Sequence, residues 1–170
     1  MPLRDCLSRV LREYKTARNQ SFPKNPLATF LRDDCADILA SLTDNAERYT
    51  FKGSAGQGNW TDCPWIAVFD ISETDSAQKG RYFVYLFRED MSGLYLSLNQ
   101  GVTEFQQQYR SGAKEALLAK AADLRAQLGK IPRFPEAKID LRPSSPSNLS
   151  SFYEAGNVWA KFYDASALSE

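Results

Sequence analysis

The hydrophobic pattern changes period at Tyr49, and that change restricts the chain to a fold in which helices and a sheet occupy separate stretches. Before it, Leu3, Leu7, Val10, Leu11 and Tyr14 recur at helical spacing, with Arg9, Arg12, Lys15 and Arg18 on the flank and opposite side of the same wheel. Asn25 and Pro26 supply an N-cap and a first-turn proline for a second helix through Leu27, Phe30, Leu31, Cys35, Ile38 and Leu39, ending near Thr43. After it come short β-rich runs at 48–53, 65–71, 81–88 and 94–100, separated by glycine and acidic turns. The last two enclose Arg88 to Gly93, which reads as an antiparallel hairpin turn.

Helical spacing then returns. Thr103 and Gln106 form a capping box ahead of a long helix carrying Phe105, Ala113, Leu117, Ala121, Leu124 and Leu128, with Gly112 a point of division. Gly129, Pro132 and Pro135 stop that helix, and residues 137–141 add a candidate edge strand. The aromatic segment Phe152 to Tyr163 still needs a core to pack on. The expected fold is α+β: an antiparallel sheet of four to five strands, two N-terminal helices, one long helix after the central hairpin and a C-terminal aromatic segment. At 170 residues and 43% hydrophobic content the chain suits one domain over 1–170. Residues 165–170 have the small, polar character of a segment leading into an effector domain, and equally that of a natural end.

Composition removes several function classes. No run approaches the roughly 18 apolar residues of a membrane span and no secretory leader is evident, so a soluble cytoplasmic protein without a membrane partner is expected. Cys6, Cys35 and Cys63, an odd number at wide spacing, fit reduced, partly buried thiols better than a disulfide frame or a zinc site. The chain has no histidine, which removes the commonest general base, the commonest metal ligand and the partner of most serine or cysteine nucleophiles. It has no phosphate-cradling G-x-x-x-x-G-K-[ST] run either. The expectation is a non-catalytic chain with no cofactor and no metal. Carboxylate-only magnesium chemistry through Asp62, Asp70, Glu73, Asp75, Glu89 and Asp90 remains an alternative, against the commoner reading of these residues as solvated loop positions.

Net charge is zero, yet its distribution is uneven. Residues 1–24 carry six basic against two acidic side chains, and residues 108–142 carry eight against four. Together these segments are expected to form one positive face, with Arg12, Lys15, Lys52, Lys114 and Arg125 as candidate phosphate contacts. Ordinary solvated helix faces would account for the same pattern equally well.

The stretch from Phe51 to Asp70 is the most informative about chemistry. Gly53, Gly56 and Gly58 let backbone approach a ligand closely, and Trp60 and Trp65 offer flat faces with indole donors. Such a loop can hold a planar ring, although two tryptophans bracketing a bend in the core would give the same pattern. Gly56-Gln57-Gly58-Asn59-Trp60, followed after three residues by Pro64-Trp65-Ile66-Ala67, resembles the N-terminal DNA-binding domain of McrB-type modification-dependent restriction proteins. The likeness continues through Arg81 to Asp90 and, more loosely, through Tyr153 to Asp164.

The resemblance implies a domain that binds duplex DNA carrying a methylated or hydroxymethylated cytosine and flips that base into an aromatic pocket, as the specificity domain of a restriction system. Its motor and nuclease would lie in a downstream or separate component. By position it assigns Trp65, Gln57 and Tyr153 to the base pocket, with Gly56, Gly58, Asn59 and Trp60 as the loop backbone beside it. Leu86 is assigned to the space in the DNA stack that the base vacates. Gln57 stands where the best-known family member has tyrosine. A protein-interaction domain without DNA binding and a carboxylate-metal enzyme are the alternatives.

Overall fold

The computed structural model describes residues 1–168, and its order of elements is α1 (Leu3–Ala17), α2 (Pro26–Arg32), α3 (Asp34–Ser41), β1 (Tyr49–Ser54), β2 (Trp65–Asp70), β3 (Arg81–Phe87), β4 (Gly93–Gln100), α4 (Val102–Tyr109), α5 (Ala113–Leu128), α6 (Leu149–Gly156), β5 (Trp159–Asp164) and α7 (Ala165–Leu168). The five strands form one antiparallel sheet in the order β1-β2-β3-β4-β5. The α+β reading therefore holds, and the C-terminal aromatic segment supplies the fifth strand. Residues 137–141 do not: only Glu136 makes an isolated bridge, to Ala160.

Strand alternation gives the sheet two apolar faces, and helices cover both. Ile66, Phe87 and Leu94 pack under α1, α2 and α3 with Val10, Tyr14, Leu31 and Cys35. Ala67, Phe69, Val84 and Leu86 point the other way, against Leu117, Ile139, Leu141 and Tyr153. Each face thus buries its own core, so a single-residue register slip in β2 or β3 would exchange the contents of both.

Several local expectations are corrected. The second helix divides at Asp33 (φ −104°, ψ −63°), so three helices precede the sheet where two were expected. The bend lets Leu27, Phe30 and Leu31 and, beyond it, Cys35 and Leu39 reach the same core. It also brings the junction down onto β1, where a Cβ at Gly53 would collide with the Leu31 carbonyl. The long helix does divide near Gly112, as expected, at the 3-10 turn Arg110–Gly112. Its first half starts from Gly101, with no side-chain cap from Thr103.

Cys6 and Cys35 are not free thiols: they form a disulfide between α1 and α3, with Cα atoms 6.2 Å apart and a sequence separation of 29. Helical packing brings the two positions together, which their spacing did not reveal. Cys63 is free and buried. Residues 165–168 are no loose linker, because Arg4 Nε and Ser8 Oγ both donate to the Leu168 carbonyl, at 2.7 and 3.0 Å, and dock α7 on α1. The rest of that linker expectation, Ser169 and Glu170, lies outside the described residues. Among the described residues no helix is long and apolar enough to cross a membrane.

Candidate nucleic-acid interface

One end of the sheet gathers the residues that the sequence singled out. The register pairs Ser54 with Trp65, Trp65 with Leu86, and Gly93 with Asp164, so the glycine-tryptophan loop and the β3–β4 turn project from the same end. The loop's base is built onto α1. Tyr14 Oη donates at 2.8 Å to the Thr61 carbonyl and at 3.2 Å to that of Ala55, clasping both limbs of the loop. Burial pushes the Tyr14 hydroxyl far above its ordinary range, so it stays a neutral donor. Arg18 of α1 pairs with Asp62 on the second limb.

Trp60 serves the same anchoring purpose. Its ring meets Tyr14 and Phe22 edge-on, at centroid distances of 5.4 and 5.1 Å, and its indole N–H donates to the Gln20 carbonyl at 2.9 Å. It holds the loop to the helical layer and does not face outward. Gly56 (φ 124°) and Gly58 (φ 71°) turn the backbone between these anchors. At Gly56 a Cβ would also strike the Asn59 carbonyl, so glycine is required there on two grounds. Gln57, Gly58 and Asn59 are left exposed at the loop tip.

Trp65 begins β2 below this tip and is half-buried against the second core. Tyr153 is buried in the same core. Burial, reinforced by nearby Cys63, raises the Tyr153 hydroxyl well above its usual range, while the Trp65 contact opposes the shift. Cys63 completes this corner. It is buried, its thiol donates to the Phe87 carbonyl at 3.1 Å, and burial holds it protonated. Trp65 and Tyr153 thus share one core, and Gln57 is exposed at the loop tip.

Leu86 departs from the role the resemblance gave it. It is fully buried on the face opposite the N-terminal helices, between Trp65 and Tyr95 in the register, and presents no side chain to a surface. The single positive face expected of the two basic segments is not formed. The two basic segments lie on opposite sides of the sheet, because α1 covers one face and α5 the other. Arg125 is committed to structure: its Nη1 donates to the carbonyls of Asn157, Val158 and Ala137 at 3.0, 3.2 and 3.3 Å. Lys114 donates to the Pro146 carbonyl, and Lys52 to that of Asp75 at 2.8 Å. Arg12 and Lys15 are exposed on the helix that anchors the loop.

Four positions organise this corner that the sequence did not place there. Tyr14 and Arg18 read only as parts of an amphipathic helix. Asn99, fully buried, donates to the Tyr153 carbonyl at 2.9 Å and fixes α6 from below. Glu89 read as a turn residue, yet it reaches across to the start of α6.

The carboxylates considered for metal chemistry are dispersed. Asp62 pairs with Arg18, Asp70 with Arg48 and Glu73 with Arg81. Hydrogen bonds from Arg48 and then Ser72 hold the Asp70 carboxyl down at about 2. Among the described residues no three His, Cys, Asp or Glu side chains are grouped to hold a metal ion. A cavity of about 680 Å³ lies away from the loop, toward the opposite end of the sheet, lined by Tyr49, Val68, Phe83, Tyr85, Leu98 and Phe134 among others.

No curated protein matches the chain. A family model described as MrcB-like, N-terminal domain matches residues 9–170, so the match takes in the C-terminal part of α1, the anchored loop, the whole sheet and α6. With nearly its full length inside that match, the chain belongs to the family of MrcB-like N-terminal domains, the DNA-recognition modules of restriction systems.

Proposed function

We propose that residues 1–170 act as one recognition domain that binds duplex DNA containing a modified base, in the first instance a methylated or hydroxymethylated cytosine, and flips that base against Trp65 and Tyr153. The observation that carries this reading is that Trp65, at the strand end from which the exposed glycine-rich loop projects, packs into the same core as Tyr153, while Tyr14 and Trp60 anchor that loop. A base in a duplex exposes only its edges, and extrusion at a cost of about a few kcal/mol presents its whole ring for inspection. The π face of Trp65 supplies stacking, and the Gln57 amide both donates and accepts, which suits a base edge. Arg12 and Lys15, exposed on the loop-anchoring helix, supply phosphate contacts. With zero net charge the domain binds weakly alone and gains strength when several copies are assembled by a motor component in the cytoplasm, which also recruits the nuclease.

Fluorescence anisotropy with unmodified, 5-methylcytosine, 5-hydroxymethylcytosine and N6-methyladenine duplexes tests the reading, with 2-aminopurine placed beside the target base as a flipping probe. We expect one cytosine modification to bind best and the probe to brighten on saturation. Trp65→Ala should cost about 1–3 kcal/mol on modified DNA, the scale of one base-aromatic stack. Gln57→Ala should narrow the gap between modified and unmodified duplexes. Reversing Arg12 and Lys15 together to Glu should weaken all duplexes alike and flatten the salt dependence. A dark probe in a saturated complex, with Trp65→Ala binding like wild type, would return Trp65 to a purely structural role.

The large apolar cavity, with Phe83 42% and Leu128 51% exposed at its margin, favours a second reading as a protein-interaction domain. Absence of binding to every duplex in the panel is the result that would select it.

A further inference from the structure

The tip of the central hairpin reaches across the second face of the sheet and grips the segment leading into α6. Arg88 Nε donates to the Asp140 carbonyl at 2.8 Å, and the Glu89 backbone N–H to the Leu141 carbonyl at 2.9 Å. The Glu89 carboxylate does more. One oxygen accepts from Ser150 Oγ at 2.6 Å and Asn148 Nδ2 at 3.0 Å, and the other from the Ser144 backbone N–H at 2.8 Å. Asn148 and Ser150 flank Leu149, the first residue of α6, and Tyr153 lies one turn further along the same helix. Partial burial works against the charge on Glu89, but these bonds outweigh it and hold the carboxyl below its ordinary range.

We propose that Glu89 is a positioning residue that sets Tyr153 against Trp65 by fixing the first turn of α6 to the hairpin tip. The inference rests on the base-pocket reading above and extends it to a residue that touches neither ring. The eight-residue helix is tied along its length, with Glu154 accepting from the Leu141 backbone N–H at 2.8 Å and the Gly156 carbonyl accepting from Gln100 Nε2 at 3.1 Å. Asn99 secures the Tyr153 carbonyl from beneath, and Glu89 holds the N-terminal end. A carboxylate suits that end on two counts. It accepts several bonds at once, which an amide of the same shape cannot, and negative charge is favoured near a helix N-terminus.

Glu89→Gln tests this with little change in volume. In the free protein, the Trp65 indole N–H resonance, assigned by its loss in Trp65→Phe, should move in Glu89→Gln and stay in place in an Asp75→Asn control. On DNA, the preference for the modified duplex should fall roughly fivefold while affinity for unmodified DNA is kept, since phosphate contacts are untouched. In a Tyr153→Ala background Glu89→Gln should lower the preference no further. Ser150→Ala, which removes one bond from the same carboxylate, should act in the same direction, and it takes over the test if Glu89→Gln does not fold. An unmoved indole resonance, an unchanged preference, or an effect that simply adds to that of Tyr153→Ala overturns the proposal while leaving the base-pocket reading intact. A wild-type protein with no preference among the duplexes overturns the base-pocket reading and this inference with it, whatever the resonance does.

Discussion

Alanine at Leu86 is expected to lower the free energy of unfolding by about 2–5 kcal/mol, the range for truncating a fully buried leucine in a core that only partly relaxes. Leu86 has no exposed surface and lies in the core shared by Ala67, Val84, Tyr95 and Tyr153. Leaving that core to enter a DNA stack would expose its side chain to water at about 1.5–3 kcal/mol and open a cavity as well. Chemical denaturation of wild type and Leu86→Ala measures the loss. Among molecules that remain folded, the brightening of a 2-aminopurine probe should match wild type. If stability is unchanged while the probe falls dark, Leu86 is mobile enough to serve as a wedge after all, and its burial describes only the DNA-free state.

Opening the Cys6–Cys35 disulfide is expected to cost about 3–4 kcal/mol of stability, the loop-closure entropy released to the unfolded chain by a link spanning 29 residues. For a chain of this size that corresponds to a fall in melting temperature on the order of 10 °C. The bridge joins α1 to α3 and so holds together the layer from which Tyr14 and Arg18 anchor the loop. Melting with and without reductant, together with a Cys6→Ala/Cys35→Ala variant, measures the effect. Thiol labelling of the denatured, unreduced protein should find Cys63 alone. Three labelled thiols and no response to reductant would mean that the pair remains reduced, as a reducing cytoplasm would keep it.

The site was legible only where chemistry is concentrated in consecutive residues. Gly56 to Trp65 announces a close-approach loop because glycine and tryptophan have few other uses in such density. Within the loop, however, the two tryptophans part company. Trp60 turns inward onto Tyr14 and Phe22, while Trp65 packs into the other core, which holds Tyr153 from a helix nearly ninety residues later. Nothing local separates those two outcomes. The charge argument failed for a related reason: a count along the chain cannot tell a solvated cation from one that caps backbone carbonyls, as Arg125 does three times over.

The sequence by itself determined the α+β class, the first four strands to within a residue or two, the hairpin, the break near Gly112 and the loop from which the interface projects. All of these depend on side-chain periodicity and backbone preference, which act between neighbours in the chain. Tertiary structure alone decided that α1 and α5 cover opposite faces, that Cys6 meets Cys35, that Leu86 is sealed in the core, and that Glu89 and Asn99 hold the helix carrying Tyr153. The physical reason is that burial and hydrogen-bond partnership are set by what lies opposite in space. A polar side chain such as Glu89 is a solvated turn residue until the fold brings unsatisfied donors of a distant helix within its reach.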